Sequence, residues 1–210
     1  MAVVVRAPGK INLQLSVGPL KSNGYHDVAT VFQAVSLFDD VTVSENSGNE
    51  IAISAESKFP IPLGEENLAY QAATLMIKEF EIPKGISISI KKEIPVAGGM
   101  AGGSADAAAT IVGIDSLFKL GLKRTEMEVL GAKLGADVPF SIAGGTAIGT
   151  GHGDQITSVL SRGNYNWVLA LSSSGLSTPA VYKECDRLRE GMELAQPHVK
   201  ETLLSALGSG

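Results

Sequence analysis

Residues 95–109 read Pro-Val-Ala-Gly-Gly-Met-Ala-Gly-Gly-Ser-Ala-Asp-Ala-Ala-Ala, with glycines at Gly98, Gly99, Gly102 and Gly103. Ahead of this stretch Ile86, Ile88 and Ile90 alternate with polar residues, the period of a half-buried strand. Behind it Ile111, Ile114 and Phe118 fall on one face of a helix. The order strand, glycine loop, helix constrains the fold and points to an anion site. Glycines let backbone N–H groups approach a ligand closely, and a helix N-terminus favours negative charge. Ser104 is placed to cap the helix, and Asp106 to put a carboxylate in its first turn. A glycine cluster alone also describes a plain turn. Two known phosphate loops do not fit. The stretch has no Gly-x-x-x-x-Gly-Lys-Ser/Thr, and its glycine spacing is not Gly-x-Gly-x-x-Gly.

A chain of 210 residues has room for one large domain or two small ones. Its net charge of −5 and the lack of a basic cluster beyond Lys91-Lys92 argue against a nucleic-acid partner. Cys185 is the single cysteine, which excludes an intrachain disulfide and a cysteine-built metal site. The N-terminus lacks a charged region followed by a long apolar core, so no signal peptide is expected. Apolar runs stay short of the roughly 18 residues that span a membrane. The expectation is a cytoplasmic protein with neither membrane nor nucleic acid as partner.

Residues 2–6 are strand-like, and Ile11, Leu13, Leu15 and Val17 alternate with Asn12, Gln14 and Ser16 as a one-sided strand. Pro8 and Gly9 break the ladder between them and could leave Lys10 free to enter a site; a lone lysine also suits an exposed surface. Residues 28–37 and 41–44 read as strands joined around Asp39-Asp40, and Ile51-x-Ile53 as another. Asn67 can cap a helix running to about Phe80. Thr125-x-x-Glu128 has the form of a capping box, opening a helix that Gly135 would end. Asp137 then precedes Pro139 in what is expected to be non-helical backbone, where it serves equally as a turn aspartate. Gly144-Gly145 and Gly149-Thr-Gly151-His-Gly153 bracket a short strand; residues 167–172 read as another; Ser177-Thr178-Pro179 precedes a helix through Leu188. Strands in bursts followed by helices indicate an α+β fold.

Three separated motifs now combine: Pro8-Gly9-Lys10-Ile-Asn12-Leu, the glycine stretch with Asp106, and Gly135-Ala-Asp137-Val-Pro-Phe. Together they resemble the GHMP kinases over nearly the whole chain. Gly24-Tyr25-His26, Thr30-Val-Phe32-Gln and Thr178-Pro-Ala-Val-Tyr182 resemble the branch of that superfamily acting on 4-diphosphocytidyl-2-C-methyl-D-erythritol, ahead of the homoserine and mevalonate branches. The resemblance implies a two-domain fold with mixed and antiparallel sheets and packed helices. It implies Lys10 and Asp137 as the catalytic pair. Pro95, Val96, Ala97, Gly98, Gly99, Met100, Ala101, Gly102, Gly103, Ser104 and Ala105 would wrap the phosphates of ATP, used with Mg²⁺. Asn12, Tyr25, His26, Phe32 and Tyr182 would surround the cytidine diphosphate end of the substrate. No side chain is assigned as a metal ligand, and the oligomeric state stays open.

Those residue types suit phosphoryl transfer, where positioning and charge stabilisation dominate. An ionised aspartate is a weak base, which suits a late proton transfer from an alcohol. Lys10 would steady both that carboxylate and the nucleophile. The resemblance also implies a closing glycine-rich motif in a second domain. The chain reaches Leu207-Gly-Ser-Gly210 soon after the junction expected near Asn164. The expected division is therefore residues 1–163 as the N-terminal domain and 164–210 as an incomplete C-terminal one. Another GHMP small-molecule kinase of homoserine or mevalonate type, or a catalytically incomplete nucleotide-binding fragment, is the alternative reading.

Overall fold

The computed structural model describes residues 1–171 and 175–210. Its framework is a mixed sheet organised on one long strand. β1 (Ala2–Leu20) and β2 (His26–Glu45) pair antiparallel along nearly their whole length. On the other edge of β2, β4 (Ile86–Lys92) pairs with residues 40–45 and β5 (Thr146–Thr150) with residues 30–33, both antiparallel. β3 (Ile51–Ser57) runs parallel to β4, and β6 (Gln155–Ser158) closes the far side against β5. The helices are α1 (Leu68–Glu79), α2 (Gly102–Phe118), α3 (Arg124–Ala132), α4 (Val138–Ala143), α5 (Thr178–Leu188) and α6 (Glu201–Ser209). The α+β reading holds.

β2 therefore offers one edge to two partners, and residues 35–39 between them have no strand partner there among the described residues. The functional loop leaves the sheet beside this gap. Asp39 borders it, and its Oδ1 accepts the backbone N–H groups of Glu93 (2.7 Å) and Ile94 (2.9 Å) as the chain departs from β4. The carboxylate does there what a strand backbone would have done.

The core lies where α1 and α2 cover one face of the sheet. Ile86, Ile88, Ile90, Val41 and Val43 point inward from the strands. Ala69, Ala72 and Ala73 of α1 and Ala105 and Ala109 of α2 are buried small residues that let the helices approach closely. The alternating isoleucines of β4 and the Asn67 cap appear as expected; Asn67 Oδ1 accepts from Ala69 N at 2.8 Å.

Several expectations are corrected. Asp39-Asp40 is not a turn, because β2 runs through it unbroken and Asp39 is fully buried. Pro8 and Gly9 do not end β1; the register shifts between Pro8 and Lys10, absorbing the proline as a bulge. The capping carboxylate of α3 is Glu126, which accepts from Lys123 N at 2.7 Å, so the helix starts one residue before Thr125. Residues 167–171 form no strand, and residue 172 of that expected element lies outside the described residues. Trp167, Val168, Leu169 and Leu171 are exposed, so the run buries no face against the sheet even though the outer edge of β6 is unpaired among the described residues.

Helix α2 meets the sheet at Gly113, where an added Cβ would stand 2.7 Å from Val43 Cγ2. Replacing a helical glycine by alanine gains about 1 kcal/mol of propensity. Overpacking a fixed strand costs about 1–3 kcal/mol. Gly113→Ala is therefore expected to lower the urea midpoint of unfolding, for a net loss of up to ~2 kcal/mol. A raised midpoint would show that the α2–sheet contact yields freely.

Candidate active site

The loop after β4 is built on left-handed backbone at alternate positions. Ala97 has φ 56°, Gly99 φ 72° and Ala101 φ 56°. Alanine in this region carries a Cβ penalty of about 1–2 kcal/mol. Surrounding contacts hold the loop in place. Pro95 and Met100 are buried, and the Met100 carbonyl accepts the Lys10 backbone N–H at 3.1 Å. Between those anchors residues 96–99 are exposed. Turns of this alternating kind aim successive N–H groups at one concavity, a form that binds anions. α2 follows at once, and its N-cap, Ala101, has no side chain to satisfy the first-turn N–H groups. The expected cap, Ser104, is instead the third residue of the helix. Asp106, expected in the first turn, is the fifth residue and is buried. An unblocked helix end, exposed N–H groups and close backbone together fit a phosphate chain.

Gly102 and Gly103 are helical, so neither is required for positive φ. Gly102 is required for space: a Cβ there would stand 2.8 Å from Lys92 Nζ and 3.0 Å from Ile94 Cγ2. Lys92 lies beneath the first turn of α2, with Nζ 2.6 Å from both Asp39 Oδ2 and Asp106 Oδ2. All three groups are buried. The two carboxylates are unequal. Asp39 also accepts two backbone N–H groups, whereas Asp106 Oδ1 is buried with no hydrogen-bond partner. Burial pushes the Asp106 carboxyl up to about 7, against the opposing pull of Lys92, and the nearby Asp39 charge adds to the rise.

The structure brings Lys10 and Asp137 together. Lys10 is 7% exposed, despite being a lone lysine beside a proline and glycine. Its Nζ donates to Asn12 Oδ1 at 2.8 Å and lies 3.7 Å from Asp137 Oδ2. It also stands 5.5 Å from the centre of the Phe32 ring. Asp137 is the N-cap of α4 with helical-range φ −85° and ψ −12°, not the non-helical backbone expected of it. Its side chain makes no capping bond, which leaves the carboxylate toward Lys10 and solvent.

Of the residues expected around the acceptor, Asn12 borders Lys10 and is exposed. His26 is buried, 5.2 Å from the Tyr182 ring, with Nε2 donating to Asp186 Oδ1 at 2.9 Å. The Tyr182 phenol is raised by burial first and then by the charge of Asp137. Tyr25 is exposed and stacks on His152 at 5.0 Å. Phe32 is 2% exposed and stacks on Phe140 at 4.7 Å, so its ring lies within the protein and faces Lys10. Sequence reading gave no role to Asp39, Lys92, Asp186, Arg189 or His152. Arg189 donates to Asp186 Oδ1 at 3.1 Å and to the Val17 carbonyl at 2.8 Å, fixing α5 on β1. Among the described residues no three His, Cys, Asp or Glu side chains group as a metal cage. No described helix is long and apolar enough to cross a membrane.

Residues 67–145, from the cap of α1 through the strand β5 boundary, match the GHMP kinases N terminal domain. The chain is 50% identical over 99% of its length to the 4-diphosphocytidyl-2-C-methyl-D-erythritol kinase of Rhodococcus jostii (strain RHA1), of which it covers 67%. It is 49% identical over 99% of its length to the kinase of the same name from Paenarthrobacter aurescens (strain TC1), covering 69% of it. A crystal structure of 4-(cytidine 5'-diphospho)-2C-methyl-D-erythritol kinase superposes with a TM-score of 0.73 at 30% identity, over 99% of this chain and 72% of that one. The chain thus spans about two thirds of the length of these relatives.

The raised Asp106 carboxyl makes stability depend on pH. A carboxyl raised in the folded state contributes stability that is full below its unfolded value near 3.8 and lost as pH rises through about 7. Asp106→Asn keeps an acceptor for Lys92 and removes the titration. The stability of the unmodified protein relative to Asp106→Asn should fall between about pH 4 and pH 7, measured by urea unfolding at each pH. A difference that stays flat across this range would show that Asp106 does not hold a proton.

Proposed function

Because the chain belongs to the GHMP kinases, we propose that it transfers the γ-phosphoryl group of ATP to the 2-hydroxyl of 4-diphosphocytidyl-2-C-methyl-D-erythritol. The observation that carries the reading is the double engagement of Lys10. Its backbone N–H holds the loop at Met100, and its ammonium faces Asp137 at 3.7 Å. One residue thereby ties the phosphate cradle to the candidate base. Two relatives near 50% identity, both named for this activity, support the choice of substrate.

Transfer forms a bond from the acceptor oxygen to the γ-phosphorus and breaks the bond from that phosphorus to the β-phosphate bridging oxygen. The bridging electron pair leaves with ADP, and the acceptor proton passes to the Asp137 carboxylate. The loop N–H groups and the α2 N-terminus hold the phosphates where charge develops. The buried Lys10 ammonium, 3.7 Å from Asp137, stabilises the approaching oxygen. Mg²⁺ would enter with ATP and neutralise phosphate charge, and among the described residues no three His, Cys, Asp or Glu side chains group to hold it apart from the nucleotide. Residues 1–163 would supply the nucleotide end. Residues 164–210 would contribute to the acceptor end through Tyr182, with Tyr25, His26 and Asn12 facing the cytidine diphosphate.

The test is ATP turnover with and without the cytidylylated methylerythritol, run beside homoserine and mevalonate. Turnover confined to one of the other acceptors would reassign the substrate, and ATP binding with no product would leave a nucleotide-binding protein. Asp137→Asn should lower kcat by about 10²–10⁴ while ATP affinity is little changed, because only proton acceptance is removed. An Asn variant with near-normal kcat would exclude Asp137 as the base. Gly99→Val places a β-branched residue at φ 72°, where nothing else crowds it. Strain of about 1–2 kcal/mol in the cradle should weaken ATP binding roughly tenfold in a folded protein, read by titration calorimetry. Unchanged affinity would remove the loop from the nucleotide site.

A further inference from the structure

We propose that Thr30 is a positioning residue that locks the Asn12 amide in one orientation and so presents a hydrogen-bond acceptor to the Lys10 ammonium; the proposal rests on the reading of Lys10 as catalytic. Thr30 lies on β2 at 1% exposure, opposite Leu15 of β1 and Gly149 of β5. A Cβ at residue 149 would come 3.0 Å from Thr30 Cγ2 and 2.6 Å from the Phe32 ring. The space a side chain at residue 149 would need is taken by the Phe32 ring, the Gly153 carbonyl and the Thr30 methyl together. With its methyl turned to β5, the hydroxyl reaches toward β1. There Oγ1 is 2.7 Å from the Gln14 carbonyl and 2.7 Å from Asn12 Nδ2.

The hydrogen-bond chemistry allows these contacts only one direction. A carbonyl only accepts, so the Thr30 hydroxyl proton is committed to Gln14. Its oxygen can then only accept from Asn12, which puts the Asn12 NH₂ on that side. Oδ1 is left facing Lys10 Nζ at 2.8 Å, and an ammonium only donates. Both ends of the chain demand the same amide orientation. A flipped Asn12 would set NH₂ against NH₃⁺ and oxygen against oxygen. The register shift between Asn12 and Gln14 lies at this point of β1. Without the hydroxyl the amide loses its fixed end, and Lys10 keeps only the more distant Asp137 carboxylate.

Thr30→Val preserves shape and β-branching and removes the hydroxyl; Thr30→Ser preserves the hydroxyl. Each is made alone and in a Lys10→Met background, with kcat and KM measured using ATP and the cytidylylated methylerythritol. Thr30→Val should lower kcat roughly ten- to hundredfold, as expected for a misplaced catalytic group. KM for ATP should hold, Thr30→Ser should recover most of the rate, and Thr30→Val should have no further effect once Lys10 is Met. A wild-type rate from Thr30→Val beside an inactive Lys10→Met overturns the positioning role and leaves the functional reading intact. An equal loss from Thr30→Val in both backgrounds overturns it as well. A fully active Lys10→Met overturns both. The side-chain amide NMR signals of Asn12 give a readout independent of turnover. They should exchange slowly with solvent in the unmodified protein and faster in Thr30→Val; rapid exchange in the unmodified protein would also overturn the proposal.

Discussion

The contact on which the other parts depend is a buried ammonium between two buried carboxylates. Lys92 ends β4, Asp39 belongs to β2 and Asp106 to α2, so one cation ties two strands to the helix into which the glycine loop leads. Three desolvated groups are a poor way to gain stability, since burying a charge costs several kcal/mol even after relaxation. Their effect is registry. Removing one partner of such a set is far more costly than never having had it, so neither β4 nor α2 can slide without exposing an unpaired charge. Asp39 extends this control by holding the two N–H groups with which the chain leaves the sheet. Gly102 is small because Lys92 lies directly under it.

That registry explains how alanine can stand at left-handed φ at residues 97 and 101. Such backbone persists only where its surroundings over-determine it. The loop is held at its start by Asp39, beneath the first turn of α2 by Lys92, and just before that helix by the Met100 carbonyl on Lys10. The exposed backbone of residues 96–99 is therefore held in one conformation by its surroundings, as the preorganisation of the proposed phosphate site requires.

Much of this was legible in the sequence where the signal is local. The alternation at Ile86, Ile88 and Ile90, the Asn67 cap and the glycine-to-helix order each depend on neighbours a few residues away. The Lys10–Asp137 pairing came from a resemblance of motifs, since no local rule links residues so distant in the chain. The misreadings are long-range in origin. Asp39-Asp40 looks like a turn because adjacent acids usually are, yet Lys92 and two N–H groups make a buried Asp39 affordable. Lys91-Lys92 stands out in the sequence only as a small basic cluster, yet strand alternation sends Lys92 inward. Residues 167–171 have the composition of a strand, yet their apolar side chains stay exposed and pack on no sheet face. Thr30 carries no sequence signal of a role, because its part is defined by Gln14 and Asn12 across the sheet.

The two ends of the site are anchored by different physics. The loop belongs to a layer in which α2, β2 and β4 share buried apolar residues and buried charge. α5 has no buried residue. It is attached through the Tyr182 ring against His26, the Asp186 carboxylate on His26 Nε2, and Arg189 on the Val17 carbonyl. The His26 bond, followed by Arg189, keeps the Asp186 carboxyl below its usual range, but Asp186 remains open to solvent that screens it. Polar ties of this kind specify direction more than they supply stability. The geometry therefore pairs a glycine loop fixed by the core, the proposed phosphate cradle, with a proposed acceptor side whose position is set by a few directed hydrogen bonds. Such a division lets a nucleotide end remain constant in a fold while the acceptor end is altered at little cost to the core.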